Sequence, residues 1–242
     1  MKTYKKIRGS YYEDVHSSCK PQSWFYETRE QYMIKFADLK KTDVVLDIGC
    51  GSGVVTRKIA RNVGCRTTGI DISEACINHA ASKSREEQLK NIDFRVGSIE
   101  NIPSSDGKFD VIIASHIIEH IRDTEKALEQ IYKKLKNNGK VIITTPNYAS
   151  LWPIAEFTFD KTLTEKGYSL HEQHITKFNM LKLKSLLRRT GFEDVNAETH
   201  YVVSLPLSLF STKIADFFFN LEQKISSLPF GAILYTKGIR KS

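Results

Sequence analysis

Between residues 43 and 145 the chain alternates short apolar runs with longer mixed stretches. The runs near 43–48, 66–71, 92–96, 109–114 and 140–145 are rich in Val and Ile and predict strands. The stretches near 53–62, 73–89, 123–136 and 178–190 predict helices. Two further strands are expected at about 192–203 and 231–239. Strands alternating with helices predict a parallel sheet with helices on both faces, so the fold class is α/β. In such sheets ligands bind over the carboxyl ends of the strands. At 242 residues the chain is expected to be a single domain spanning 1–242, able to bury a full core.

The first strand runs into a turn that reads Val-Val-Leu-Asp-Ile-Gly-Cys-Gly-Ser-Gly over residues 44–53. Glycines at alternate positions let a turn take positive φ and let a ligand touch the backbone. A dinucleotide fingerprint needs its third glycine at position 54, which is Val54. The G-x-G-x-G form preceded by Asp47 instead resembles motif I of class I S-adenosylmethionine (SAM) methyltransferases. Thr67–Ile72 is a second buried strand ending in Asp71, 18 residues after Gly53. An acid there can accept from both ribose hydroxyls; the plain alternative is a helix cap before Ser73 and Glu74. Segments 94–103, 108–114 and 135–147 resemble the third, fourth and fifth strand blocks of the same superfamily, in order.

The resemblance implies a Rossmann-like, seven-stranded, mostly parallel sheet with the last strand antiparallel. It implies SAM as cofactor, held by Asp47, Gly49, Cys50, Gly51, Gly53, Asp71, Ile72, Ser98, Ile99 and Ser115. Ile99 is expected on the adenine face. The acid that usually follows the glycine at Gly97 is here Ser98, a weaker acceptor for the adenine amine.

Residues 41–147 would then form the cofactor core. The aromatic arm 1–40 (Tyr11, Tyr12, Trp24, Phe25, Tyr26, Tyr32) is expected to pack on the sheet and act as a lid. Segments 148–177 and 204–230 are expected on the substrate side. Phe217, Phe218 and Phe219 cannot all share one helix face, so at least one should meet a partner, lipid or substrate. The 204–230 segment reads as a core or dimer helix, a wall for an apolar acceptor, or a membrane-surface helix.

After the fourth strand comes Ser115-His116-Ile117-Ile118-Glu119-His120. On a helical turn His116, Glu119 and His120 share one face and could hold a divalent metal. The string also matches a reversed zinc-protease pattern, which has no place on the cofactor edge of a nucleotide fold. The position is similar to the E-x-x-E-H block of ubiquinone-pathway O-methyltransferases and small-RNA 2′-O-methyltransferases, where these side chains are associated with a metal. His116 stands in place of the first Glu, which favours zinc, manganese or iron over harder ions, or no metal. Both groups carry a His in the loop before the next helix; here that loop holds His171 and His174. The catalytic candidates are His116, His120 and His174, with His174 as general base or fourth member of the cluster.

Composition narrows the partners. Net charge is +8, from 36 basic and 28 acidic residues. Lys177, Lys182, Lys184, Arg188 and Arg189 fall in 176–191 with no acid, on a helix whose apolar positions Leu181, Leu183, Leu186 and Leu187 are expected to face the sheet; they read as a solvated helix face with an anionic membrane or polyanion as alternative. They lack interleaved aromatics, and no RNA-binding module is visible, so nucleic acid is not expected as a partner. The four cysteines form no C-x-x-C pair, no signal peptide is evident, and no apolar run reaches the roughly 20 residues that span a bilayer. The expected place is the cytoplasm, with peripheral membrane attachment an alternative. The expected reaction is methyl transfer from SAM to a small-molecule acceptor, a hydroxyl oxygen on an apolar or lipid-linked substrate. The alternatives are RNA 2′-O-methylation with a divalent metal and N-methylation of a small molecule. A homodimer through 204–230 is a further alternative.

Overall fold

The structure is a computed structural model and describes residues 8–154, 156–157 and 173–241. Seven strands form one sheet: β1 (Val44–Ile48), β2 (Arg66–Asp71), β3 (Ile92–Val96), β4 (Phe109–Ser115), β5 (Leu135–Pro146), β6 (Glu193–His200) and β7 (Ile233–Ile239). Their order is β3-β2-β1-β4-β5-β7-β6. The pairs β1/β2, β1/β4, β2/β3 and β4/β5 are parallel. β7 runs antiparallel between β5 and β6. The α/β class, the seven strands and the antiparallel last strand are as the sequence implied. The strand order reverses between β1 and β4, which opens a crevice at their carboxyl ends.

The central strands are buried on both faces, which is why they read as continuous apolar runs. Val45, Val111, Ile113 and Ile142 pack into one core with Met33, Ile59 and Phe219. Their neighbours Leu46, Ile112, Ala114, Val141 and Ile143 pack into the other with Leu128, Ile131, Leu183 and Leu187. Each fully buried aliphatic side chain contributes roughly 1.5–3 kcal/mol.

The helices are α1 (Tyr11–His16), α2 (Lys20–Ala37), α3 (Val54–Asn62), α4 (Glu74–Glu86), α5 (Thr124–Lys134), α6 (Met180–Arg189), α7 (Ser204–Ser208) and α8 (Thr212–Glu222). Three details differ from the sequence expectation. The aromatic arm, for which no helix was expected, folds into α1 and α2. Pro21 opens α2 and a left-handed Asp38 closes it, burying Trp24, Met33 and Phe36. On α6, Leu183, Leu186 and Leu187 are buried, but Leu181 was expected to face the sheet and is 79 % exposed. It stands off the i, i+3, i+4 stripe that the other three define. β5 begins at Leu135 instead of 140, with an irregularity opposite Phe109 and Val111.

The 204–230 segment is clamped by Glu222. Its buried carboxylate accepts from the backbone N–H groups of Tyr201, Val203 and Ser204 and from the Ser204 hydroxyl. Negative charge at the start of α7 satisfies N–H groups that would otherwise lack partners. Among the described residues, no helix is long and apolar enough to cross a membrane.

Candidate functional site

A cavity opens at the carboxyl ends of β1, β2 and β4, roofed by α1 and α2. Its floor is the glycine turn. Gly49 and Gly51 hold φ of 71° and 52°, a region that side chains avoid. A Cβ on Gly49 would stand 2.0 Å from the Ile117 side chain, and one on Gly51 would stand 2.5 Å from the Tyr12 ring. Gly53 is different: it caps α3 with φ 74°, and a Cβ there would meet Ala80 and Phe94, away from the cavity.

Asp71 ties the turn to β2. Its Oδ2 accepts from Gly51 N at 2.9 Å and its Oδ1 from Ser73 N at 2.8 Å. Burial raises its pKa, against the lowering effect of these N–H groups. The helix cap is Ser73, whose side chain accepts from Cys76 N. Each Asp71 oxygen keeps a second lone pair for a ligand hydroxyl. Asp47 lies deeper. Burial pushes its pKa up to about 7, although the Thr56 hydroxyl donates to it at 2.6 Å.

Cys50, Ile72, Ser98, Ile99 and Ser115 line the cavity. Ile99 is buried. The Ser98 hydroxyl accepts from Asn101 N at 3.1 Å, so part of its acceptor capacity closes its own turn. Ser115 Oγ bonds Thr144 Oγ1 at 2.8 Å.

At the other end, the expected helical turn over 116–120 does not form. His116 takes φ 54° and donates its N–H to Thr144 O, and only Ile118–His120 makes a single 3-10 turn. Among the described residues, the set whose ligand atoms lie within 4.8 Å of one another is Glu119, His120 and His174, not His116, Glu119 and His120. A left-handed residue at 116 breaks the i, i+3, i+4 face, and the loop after β5 supplies the third group instead. His116 still approaches Glu119: its Nδ1 is 3.2 Å from Glu119 Oε1, without the direction of a hydrogen bond.

The electrostatics are lopsided. Burial, then the Arg29 charge, lowers the His116 pKa to about 4. Burial alone would raise Glu119, but the adjoining His116, with His120 and His174 nearby, brings its pKa down to about 2. Glu119 is fully buried. Its Oε2 accepts from Thr145 Oγ1 at 3.1 Å, while Oε1 has no hydrogen-bond partner. An orphaned buried carboxylate oxygen beside two imidazoles fits a cation.

Both histidines of this set are oriented through Nδ1. His120 Nδ1 donates to Gln173 O at 2.9 Å. His174 Nδ1 donates to Glu156 Oε1 at 2.5 Å and lies 2.8 Å from the Tyr148 hydroxyl. Tyr148 in turn donates to both Glu156 oxygens. Burial lowers the His174 pKa, opposed by Glu119 and Glu156. Sequence reasoning missed Glu156 and Tyr148. The one available signal was a lone acid in the apolar run Trp-Pro-Ile-Ala-Glu-Phe over 152–157. His171 lies outside the described residues.

The roof adds four more residues that sequence reasoning did not assign to the site as such: Tyr12, His16, Tyr26 and Arg29 line the cavity. His16 stacks on Tyr26 and contacts buried Glu30, which also takes Lys58. The Arg29 guanidinium lies 4.7 Å from the Tyr26 ring centroid and has no ion-pair partner among the described residues.

A family model described as a methyltransferase domain matches residues 24–197. The chain belongs to this methyltransferase family and has the fold of its class I, SAM-dependent members. It is 31 % identical over 161 residues to a ubiquinone biosynthesis O-methyltransferase of Coxiella burnetii, covering 64 % of this chain and 67 % of that protein. It is 29 % identical over 173 residues to phosphoethanolamine N-methyltransferase 2 of Caenorhabditis elegans, covering 72 % of this chain but only 38 % of that protein. This chain therefore spans little more than a third of that relative. In the solved structures, phosphoethanolamine N-methyltransferase 2 of Haemonchus contortus in complex with SAM superposes with TM-score 0.67 at 18 % identity. The match covers 89 % of this chain and 53 % of that one, and shows the shared fold.

Proposed function

We propose that this enzyme methylates a hydroxyl oxygen of a small acceptor, with His174 as general base oriented by Glu156. The observation that carries this is the Glu156–His174 pair beside Glu119 and His120 in the cavity that holds the glycine turn. SAM lies along the turn, with Asp71 on the ribose hydroxyls and Gly49 and Gly51 against its methionine end. The acceptor oxygen forms a bond to the methyl carbon as the S–CH3 bond breaks. The hydroxyl proton passes to His174 Nε2, and S-adenosylhomocysteine leaves. Glu156 stabilises the imidazolium that forms. The lid helices exclude water and align the acceptor with the S–CH3 bond.

Arg29 supports an acceptor that carries a negative charge, because its cation lines the cavity without a carboxylate partner among the described residues. The aromatic roof suits an apolar or lipid-linked body on that acceptor. Glu119, His120 and His174 would hold a divalent ion, which when bound would lower the pKa of a coordinated hydroxyl. Four free cysteines support a reducing, cytoplasmic setting.

The test is a panel of hydroxyl and amine acceptors, each with and without a phosphate or carboxylate, scored by S-adenosylhomocysteine release. Anionic hydroxyl acceptors are expected to turn over, and turnover should survive chelation by EDTA. Turnover of amines alone would overturn the oxygen assignment. Loss on chelation with rescue by zinc, manganese or iron would transfer the role of His174 to an ion.

Cofactor binding should also move a proton. Burial pushes the Asp47 pKa up to about 7. SAM carries a net positive charge, which favours the ionised carboxylate and lowers that pKa. The ionised fraction grows as pH rises through 7, so affinity should increase from pH 6 to about 8 and then level. Calorimetry in buffers of different ionisation enthalpy should show proton release near neutrality, and Asp47→Asn should abolish it. Buffer-independent heats would refute this.

A further inference from the structure

Helix α8 has two apolar faces. The inner face, Ala215, Phe219 and buried Glu222, packs toward Trp24 and Tyr201 of the core. The outer face is Ile214, Phe217 and Leu221, at i, i+3 and i+7, between 48 and 66 % exposed. Phe210 extends the stripe at one end, at 86 % exposed, and Ile225 and Leu228 extend it at the other, at 48 and 44 %. A contiguous run of large apolar side chains facing water marks a binding surface.

The charges around this stripe are one-sided. Between Val203 and Phe230 the acids are Asp216 and Glu222. Asp216 accepts from Trp24 Nε1 at 2.6 Å, and Glu222 is buried under the α7 N–H groups. The cations are Lys213 and Lys224, both exposed and without an ion-pair partner among the described residues. Lys35 of α2 adds a third positive charge beside them, its Nζ donating to Gln223. Glu222 points in, and Asp216, though exposed, is engaged by Trp24, while both lysines face water.

We propose that the outer face of α8 docks on an anionic membrane surface. Aromatic and aliphatic side chains flanked by lysines suit the boundary between acyl chains and acidic headgroups, where both terms add. Pairing with a second copy through the same stripe is disfavoured, because that face offers Lys213 and Lys224 no acid. The docked face is one helix from the reaction cavity: α2 carries Trp24 and Tyr32 against α8, and Tyr26 and Arg29 into the cavity. An acceptor embedded in the membrane would then reach the catalytic end from the side on which the protein sits. The inference is independent of the chemistry assigned to His174.

The experiment is vesicle co-sedimentation of the full chain. Binding is expected to equimolar phosphatidylglycerol and phosphatidylcholine vesicles, weakening with salt, and to be much weaker to phosphatidylcholine alone. Each lysine contributes about fivefold to partitioning, so the pair Lys213→Glu and Lys224→Glu should cost more than about tenfold. The pair Phe210→Ser and Phe217→Ser should cost at least about tenfold. Both residues are mostly solvated, so the melting temperature and SAM affinity should not change. Equal binding by wild type and both variants would overturn the proposal, as would no binding to anionic vesicles. So would a wild-type dimer that Phe217→Ser converts to monomer, since the stripe would then belong to a second copy.

Discussion

His174→Ala is expected to slow methyl transfer by about 10²–10⁴ while leaving SAM affinity unchanged. The imidazole is buried, and its Nδ1 is occupied by Glu156 and Tyr148, so Nε2 is the nitrogen left to take a proton. Nothing in its contacts ties it to the glycine turn, which is why cofactor binding should survive. The pH profile supplies a second readout. Burial holds the His174 pKa below its ordinary value of 6.5. A base works when unprotonated, so the rate should rise with pH, level below 6.5, and stay flat through neutrality. Glu156→Gln removes the carboxylate that favours the imidazolium. It should lower the plateau and move the ascending limb to still lower pH. The same two substitutions separate catalysis from packing. Full activity in both, with an unchanged profile, would leave the Glu156–His174 pair as a structural link between the loop after β5 and the sheet.

Asp71→Ala should weaken SAM binding more than any other single change at the turn. A hydrogen bond to a charged acceptor is worth about 1.5–3 kcal/mol, so losing even one ribose contact means roughly a tenfold to hundredfold weaker Kd. The structure adds a second cost, because Asp71 also accepts from Gly51 N and Ser73 N. Its removal leaves two backbone donors unsatisfied where the turn meets α4. Asp71→Asn distinguishes the effects. The amide oxygen can still accept one N–H, so thermal stability should be kept better than affinity. Calorimetry is the decisive measurement, and an unchanged Kd in Asp71→Ala would remove Asp71 from the cofactor site.

The glycine-turn end of the cavity was legible because its features are local. Strand, glycine turn and strand-end acid follow one another in the chain, and the continuous apolar runs of β1 and β4 already mark them as central strands. Gly53 shows the limit of that approach: it belongs to the glycine pattern, yet its environment is Ala80 and Phe94, not the cavity. Ser98 shows it again, since its hydroxyl serves Asn101 N.

The acceptor half depends on contacts between distant segments. The spacing of His116, Glu119 and His120 suggested one helical face, but the left-handed backbone at His116 redirects it, and Glu119 and His120 meet His174 instead. Thr176 N donates to Glu119 O and the Thr176 hydroxyl to Ile121 O, which pins the later loop on the 3-10 turn. No periodicity encodes such a contact. Glu156 showed only as a lone acid in an apolar run, because a carboxylate becomes a partner for histidine only when folding buries both. The sequence by itself determined the fold class and the residues of the glycine turn, since short-range pattern and backbone sterics suffice for them, and the resemblance carried by that turn implied the cofactor. The tertiary structure alone decided which histidine lies against which carboxylate, that Arg29 reaches the cavity from the arm, and that α8 buries Glu222 while its lysines face water. Those are outcomes of packing between segments, with partners from 18 residues apart for Glu156 and His174 to 192 apart for Trp24 and Asp216.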